Sequence, residues 1–167
     1  ANWHSQRVPI GNGAGRGSGR PAPGAGRIPG VDVDGAREFI REHHRGVLAT
    51  RHPDGGIRLS PIVAAVDDAG RIVISSRETA YKVRYLRRDP WAQVCITTND
   101  FFGPWTWVEG TAAIVSLPEA MEPLVDYRRR FADAGGIDWD DYRRRMERER
   151  RVLIRIEPER AGPGKQG

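Results

Sequence analysis

The chain has 167 residues, a formal net charge of +5 and a pI near 10.0. Its length suits one domain with one core, and its charge indicates an anionic partner without identifying one. Cys95 is the only cysteine, so no disulfide framework is expected. No apolar run approaches the roughly 18 residues of a membrane helix, and the apolar centre of a signal peptide is absent. We therefore expect a cytoplasmic protein that does not enter membranes.

Residues 1–30 are rich in glycine, arginine and proline and nearly free of aliphatic side chains. Such a segment buries too little apolar area to offset the entropy of ordering, so we expect a flexible arm, part of it interpretable as vector-derived. Contact of this arm with nucleic acid is a less favoured interpretation. The folded domain is expected over residues 31–160, with a disordered tail over 161–167.

The folded part is predicted to begin with a helix between an Asp34 cap and a Gly46 stop, with Phe39, Ile40 and His43 on its inner face. Strands follow at 46–50, 57–66 and 71–75, separated by the turns HPDGG and DDAG. Pro61 has no backbone N–H and therefore predicts an edge position or a bulge for the second strand.

The second half of the chain alternates further strands and helices. A helix at 79–88, ended by Asp89-Pro90, is followed by strands at 91–97 and 105–115. The next helix has Leu117, Met121, Leu124 and Phe131 at helical spacing and extends to about residue 132. A helix capped by Asp138, with Trp139, Tyr142 and Met146 inside, precedes a strand at 151–157. Strands joined mostly by hairpins predict a mainly β fold, an antiparallel barrel with peripheral helices rather than a doubly wound sheet.

Groups that bind anions are concentrated in SSRETAYKVRYLRRDP, residues 75–90. Ser75 and Ser76 supply hydroxyls after a strand, and Arg77 and Lys82 supply positive charge. A phosphate is held by several converging donors, and a helix N-terminus adds backbone N–H groups and a positive dipole end. The pattern indicates a phosphate site, although capping hydroxyls on a solvated surface helix explain it equally well.

Two other strands offer candidate binding groups. Arg58 and Ser60 share a face of strand 57–66, which read alone is an ordinary edge strand but together with residues 75–82 extends the candidate site. Trp105 and Trp107 share a face of strand 105–115, where they form either a stacking wall for a flat ring or, as is commoner for strand aromatics, part of the core.

Other classes of site have little support in the sequence. The histidines and Cys95 are not spaced as a metal-ligand set, and the signatures of serine hydrolases, P-loop enzymes and Rossmann dehydrogenases are absent. The arginine-rich runs 128–130, 143–145 and 148–151 lie among acidic residues at spacings that allow helical ion pairs. Solvated helix faces are therefore favoured over a nucleic-acid surface.

A helix, GVLAT, an Asp-Gly turn, ISS…K…LRRDPWAQV, WVEGTA, DWDDYR and RVLIRI occur in this order. The order resembles the split β-barrel flavin-reductase-like superfamily of pyridoxamine 5′-phosphate oxidase, and within it the branch that uses the deazaflavin coenzyme F420. The likeness covers residues 34–160. It implies an FMN-binding-like split antiparallel β-barrel and a homodimer with two cofactor sites at the subunit interface.

The resemblance also assigns roles to residues by position. It places Arg58, Ser60, Pro61 and Ile62 beside the deazaflavin ring and its ribityl chain. It places Ser75, Ser76, Arg77 and Lys82 at the phosphate. It also places Trp105 and Trp107 so that they face the cofactor site of the partner subunit.

The implied activity is that of an F420-dependent oxidoreductase, which transfers hydride between reduced deazaflavin and an electrophilic small molecule and for which we name no catalytic residue. Three alternatives remain open. FMN, which ends in a phosphate, is a second candidate cofactor. A protein that stores or carries F420 without turnover is another, and a nucleic-acid-binding role is the last.

Overall fold

The computed structural model describes residues 32–100 and 102–162, with the backbone alone at Ala132. The predicted arm over residues 1–30 and the end of the predicted tail lie outside these ranges. The elements in chain order are α1 (Val33–Glu42), β1 (Arg45–Arg51), β2 (Ile57–Val63), β3 (Ala65–Val66), β4 (Ile72–Arg77), α2 (Tyr81–Arg88), β5 (Trp91–Thr97), β6 (Trp105–Val115), α3 (Met121–Arg129), a 3-10 turn (Ala132–Ala134), α4 (Trp139–Arg148) and β7 (Arg151–Gly162).

The strands form one antiparallel sheet in the order β2-β1-β5-β6-β7-β4-β3. Its inner face carries the main core, in which Leu48 of β1, Val94 of β5 and Ile154 of β7 are completely buried. Ile40 of α1 and Val83 of α2 join this core. The arrangement confirms the prediction of a mainly β split barrel with peripheral helices.

A second, smaller core holds α3 and α4 against the outer face of β4 and β7. Val73 and Leu153 project from the sheet into it, and Leu124, Tyr142 and Met146 project from the helices. The Tyr142 hydroxyl donates to the carbonyl of Leu124 at 3.1 Å and so fixes the two helices to each other. This contact brings residues near position 145 beside the strand that ends at Arg77.

The first helix differs from its prediction at both ends. Its N-cap is Asp32, whose carboxylate accepts from the Gly35 backbone N–H at 2.8 Å, rather than Asp34. The helix ends at Glu42, and Gly46 is a residue of β1 rather than the helix stop. A Cβ at Gly46 would lie 2.1 Å from the Cys95 carbonyl oxygen, so glycine is needed there for the close approach of two strands.

The middle of the chain also departs from the predicted bounds. The predicted strand 57–66 is two strands, β2 and β3, separated at Ala64, and Pro61 lies in the edge strand β2 as predicted. The predicted strand 71–75 extends to Arg77, and α2 begins at Tyr81 with no side-chain cap. Ser75 and Ser76 are therefore strand residues and do not cap a helix.

The last part of the chain matches its prediction more closely. β5 and β6 have the predicted bounds, and the carboxylate of Asp138 caps α4 by accepting from the Asp141 backbone N–H at 2.9 Å. Helical ion pairs of the predicted kind occur in the arginine runs, for example Arg129–Asp126 at 3.3 Å and Arg144–Asp141 at 3.7 Å. β7 extends to Gly162, so residues 161 and 162 belong to a strand and not to a disordered tail. Within the described ranges, no helix combines the length and apolar character that crossing a bilayer requires.

Candidate functional site

A pocket with a volume of about 680 Å³ lies outside the barrel. One wall is formed by β1, β2, the end of β4 and the start of α2. The other wall is formed by α3, α4 and the start of β7. Side chains from both halves of the chain therefore meet across one cavity.

Four of the predicted site residues line this pocket, namely Pro61, Ile62, Ser75 and Lys82. Ser75 is half-buried and faces the pocket because its neighbour Ser76 points into the barrel, where it is buried. Pro61 contributes an exposed apolar surface on β2, whereas Ile62 lies at the pocket wall but belongs to the barrel core and is 8% exposed. The structure thus brings the predicted ring-binding strand and the predicted phosphate-binding segment to the same cavity.

Lys82 is the most distinctive group in the pocket. It is half-buried and, among the described residues, forms no ion pair with a carboxylate. Burial lowers the pKa of the Lys82 ammonium, and the neighbouring Arg151 guanidinium lowers it further. An anion bound beside Lys82 would relieve both unfavourable effects.

Four other predicted residues lie elsewhere. Ser60 and Ser76 are on the inner side of their strands, since Ser60 pairs with Leu48 and Ser76 is 4% exposed. The guanidinium of Arg58 binds the Asp54 carboxylate at 3.0 Å, outside the pocket. Arg77 is exposed and its Nε lies 4.0 Å from a Glu149 carboxylate oxygen.

The partner of Arg58 is held in its charged form. A hydrogen bond from the Gly56 backbone N–H, followed by one from His52, lowers the pKa of Asp54 to about 2. Arg58 therefore keeps an ionised partner over the whole physiological pH range, in an exposed turn. This placement does not favour its predicted contact with a cofactor of the same subunit.

Trp105 and Trp107 share one half-buried face of β6, as predicted, but they do not line the pocket of their own chain. In the sheet, Trp107 pairs with Cys95, Cys95 with Val47, and Val47 with Pro61. Three strand spacings, about 14 Å, therefore separate Trp107 from Pro61.

Sequence reasoning missed the wall formed by α4. Tyr142, Arg145, Met146 and Glu149 all line the pocket, and their spacing of three, four and seven residues places them on one helical face. The arginine runs were interpreted as solvated faces, and Arg144 and Arg145 are indeed exposed, although Arg145 also borders the pocket. Its helical spacing from Tyr142 and Met146 was the signal that could have indicated this.

Two arginines at the pocket remain available to a ligand. Arg45 on β1 and Arg145 on α4 line it, and in the described part of the chain neither is ion-paired with a carboxylate. The Arg145 guanidinium lies over the Tyr142 ring at 5.4 Å. By contrast, Arg151 is bound to Glu149 at 2.7 Å.

Tyr127 forms a neutral part of the wall. Its hydroxyl donates to the Val63 carbonyl at 3.0 Å, and burial raises the pKa of Tyr127 to about 12. With this pKa the hydroxyl is neutral near neutral pH. Tyr127 therefore positions the β2 edge through its hydrogen bond to Val63. Over the described residues, no three histidine, cysteine or carboxylate side chains come together as a metal-ion site.

Comparison with known families agrees with this architecture. A sequence model of the pyridoxamine 5′-phosphate oxidase family matches residues 33–163, nearly the whole described structure. The chain belongs to this family, which has the split β-barrel fold of flavin- and deazaflavin-dependent oxidoreductases. The resemblance to the pyridoxamine 5′-phosphate oxidase superfamily stated from the sequence motifs is confirmed, whereas the F420-using branch stays a prediction.

Solved structures with the same fold include three useful examples. The conserved hypothetical protein Rv2991 from Mycobacterium tuberculosis is 28% identical over 75% of this chain and 79% of its own, with a TM-score of 0.63. An F420 reductase is 18% identical over 77% and 96%, with a TM-score of 0.57. A putative pyridoxamine 5′-phosphate oxidase from Listeria innocua is 17% identical over 81% and 98%, with a TM-score of 0.58. At these identities the last two show the fold alone.

Proposed function

We propose that this protein is a coenzyme F420-dependent oxidoreductase that transfers hydride between the reduced deazaflavin and an electrophilic small molecule. The observation that carries the proposal is Lys82, a partly desolvated cation without a carboxylate partner among the described residues, which lines the 680 Å³ pocket together with Ser75. One neighbour of the same fold is an F420 reductase, which supports the choice of cofactor class.

The part of the pocket lined by Lys82 and Ser75 suits a phosphate group. The Lys82 ammonium offers up to three donors and a full charge, and the Ser75 hydroxyl offers another donor on the same face. A phosphate here compensates the repulsion between Lys82 and Arg151. FMN and F420 both carry a phosphate, so this part of the pocket accepts either.

The rest of the pocket favours the deazaflavin. Coenzyme F420 carries a phosphodiester and an acidic polyglutamate tail, whereas FMN ends at its single phosphate. Arg45 and Arg145, which have no carboxylate partner among the described residues, add two charges to the lining beyond Lys82. Additional positive charge is useful for the acidic tail and has no counterpart in FMN.

When bound, the deazaflavin supplies the hydride from ring carbon C5. The chain supplies position, because Pro61 on β2 gives the ring an apolar surface at the pocket wall. Holding donor and acceptor in contact can lower the barrier by roughly 7–11 kcal/mol. No side chain of this subunit is needed to move a proton if solvent delivers it.

We further propose that the protein is a homodimer whose interface is the outer face of β2, β1, β5 and β6. Large apolar side chains are exposed there: Ile57 is 48%, Leu59 68%, Val63 42% and Val47 37% exposed. Trp105 and Trp107 share this face. Several exposed apolar side chains on one sheet face are typical of an interface, and they extend to Pro61 at the pocket edge. The indoles of one subunit would then face the site of the other.

Substitution of Leu59 tests the interface. We expect the wild-type protein to sediment at twice the monomer mass of 18.6 kDa, and Leu59→Glu to shift it to the monomer, because a charge replaces an apolar contact on this sheet face. Tyr81→Glu is the control, since Tyr81 is equally exposed on α2. A wild-type monomer at micromolar concentration, or a dimer unaffected by Leu59→Glu, would contradict the proposed interface.

Titration with both cofactors tests the proposed function. We expect fluorescence or calorimetric titration to show saturable binding of F420, weaker binding of FMN, and oxidation of reduced F420 with a quinone or enone acceptor. Tight FMN binding without F420 binding would overturn the choice of cofactor. F420 binding without turnover over a panel of quinones, enones and tetrapyrroles would indicate a carrier.

A further inference from the structure

A second pocket, of about 230 Å³, lies between the turn that joins β3 to β4, helix α3 and strand β7. Tyr127 separates it from the larger pocket, because its side chain lines both. Val73, Pro123 and Leu153 give this second pocket an apolar surface. The proposed cofactor site leaves it without a role.

Three arginines line the second pocket, and two of them have carboxylate partners. Arg71 binds Asp67 at 2.8 Å within the turn, and Arg130 binds Asp68 at 2.8 Å. The second pair connects the turn to the end of α3, and both guanidinium charges are balanced by a carboxylate.

Arg155 is the exception. It is partly buried on β7, and in the portion of the chain that the structure describes it forms neither an ion pair nor a hydrogen bond. Its cross-strand neighbours are Val73 on β4 and Ala113 on β6, so neither adjacent strand offers an acid. Because both cross-strand neighbours are aliphatic, the Arg155 guanidinium has no favourable charge pair across the sheet.

Two buried donors in this pocket lack acceptors. The Nε atoms of Arg130 and Arg155 are both shielded from solvent, and no acceptor for either occurs within residues 32–100 or 102–162. Buried donors in folded proteins are nearly always hydrogen-bonded. Arg155 therefore lacks an acceptor at its buried Nε as well as a carboxylate partner within the described residues, which leaves its guanidinium as the unpaired cation of this pocket.

We propose that this pocket binds a small monocarboxylate with a compact apolar body. The carboxylate is bound by the Arg155 guanidinium, whose planar fork matches two carboxylate oxygens. The apolar body packs on Val73, Pro123 and Leu153.

The charge around the pocket selects a monoanion. Asp68 and Asp126 also line it, and Asp126 is only loosely paired, with its carboxylate 3.3 Å from Arg129. A dianion such as hydrogen phosphate would be repelled by these carboxylates more strongly than a monoanion. This proposal does not depend on F420 or on any redox activity.

The direct test is observation of the arginine Nε–Hε groups by NMR. In the full chain labelled with ¹⁵N-arginine, we expect isobutyrate to change the chemical shift of the Arg155 Nε–Hε signal until binding is saturated. The neutral isostere isobutyramide should leave that chemical shift unchanged. The signal is assigned by its loss in Arg155→Lys. An unchanged chemical shift with isobutyrate, or an equal change with chloride or phosphate at the same concentration, would overturn the proposal.

Variants give a second, independent readout by calorimetry. Arg155→Gln should weaken isobutyrate binding by about tenfold or more, the lower range for a charge-assisted hydrogen bond. Arg148→Gln makes the same change of charge on an exposed part of α4 that lines neither pocket, and should bind as the wild type does. Unchanged affinity in Arg155→Gln would refute the site. If that variant fails to fold, Arg155→Lys keeps the charge and removes the fork, and the same loss is expected.

Discussion

Replacement of Lys82 by alanine should weaken F420 binding by about 1.5–3 kcal/mol, a factor of roughly 10–150 in Kd. The loss is expected because Lys82 is a partly buried cation with no carboxylate partner in the described part of the chain, and a bound phosphate would be its counter-charge. Isothermal titration calorimetry of the wild type and the variant measures the difference. Unchanged affinity in a folded Lys82→Ala protein would show that the phosphate lies elsewhere.

Arg84 provides the matched control on the same helix. It is exposed, its guanidinium lies over the Tyr81 ring at 5.6 Å, and it does not line the pocket. Arg84→Ala removes the same unit of charge and should change the affinity by much less than Lys82→Ala. Equal losses in the two variants would point to a general effect of net charge rather than a specific contact.

The pH dependence of binding gives a second signature of Lys82. The phosphate requires the protonated ammonium, so the affinity should be constant at neutral pH and should fall as the pH rises through the lysine pKa. Because burial and then Arg151 lower this pKa, the fall should begin below the pH at which an ordinary lysine titrates. In Lys82→Ala this alkaline fall should be absent.

Replacement of Gly46 by alanine should lower the free energy of unfolding by about 1–3 kcal/mol. The added Cβ would lie 2.1 Å from the Cys95 carbonyl oxygen and 2.7 Å from Ile96 Cδ1, so β1 and β5 would have to separate. Gly46 also lines the large pocket, so ligand affinity should fall as well. Urea unfolding followed by tryptophan fluorescence measures the stability.

Gly135→Ala is the control for the effect of alanine on the unfolded chain. Gly135 has a φ of −66°, and a Cβ there would meet no heavy atom within 4 Å. This variant should be neutral or slightly more stable, by about 0.4–1 kcal/mol. Two variants of equal stability would mean that the strands near Gly46 accommodate a methyl group, contrary to the structure.

The sequence predicted well those elements whose signals are local. β5 and β6 have a clear alternation between turn residues, and Asp138 has the spacing of an N-cap, so their bounds agree with the structure. The extension of β4 through Ser76 and Arg77 was not predictable locally, because it depends on pairing with Val152 and Arg151 of β7. Hydroxyl and charged residues after an apolar run resemble a strand exit until that partner is known.

The same reason limited the prediction of the site. Ser75 and Lys82 are seven residues apart and could be grouped from the sequence, whereas Arg145 and Arg151 join them only through the pairing of β4 with β7 and the packing of α4. Gly46 was interpreted as a helix stop because a local glycine signal carries no information about a neighbouring strand. The required close approach to Cys95 is a tertiary feature.

The origin of the two pocket walls has a consequence for synthesis in the cell. Lys82 belongs to the middle of the chain and Arg151 to its last strand, so a nascent or C-terminally truncated polypeptide has half a cavity and no closed binding site. A ligand that binds only the finished cavity stabilises complete molecules by mass action and leaves incomplete ones unprotected. Supply of the small molecule would then govern how much full-length polypeptide survives proteolysis.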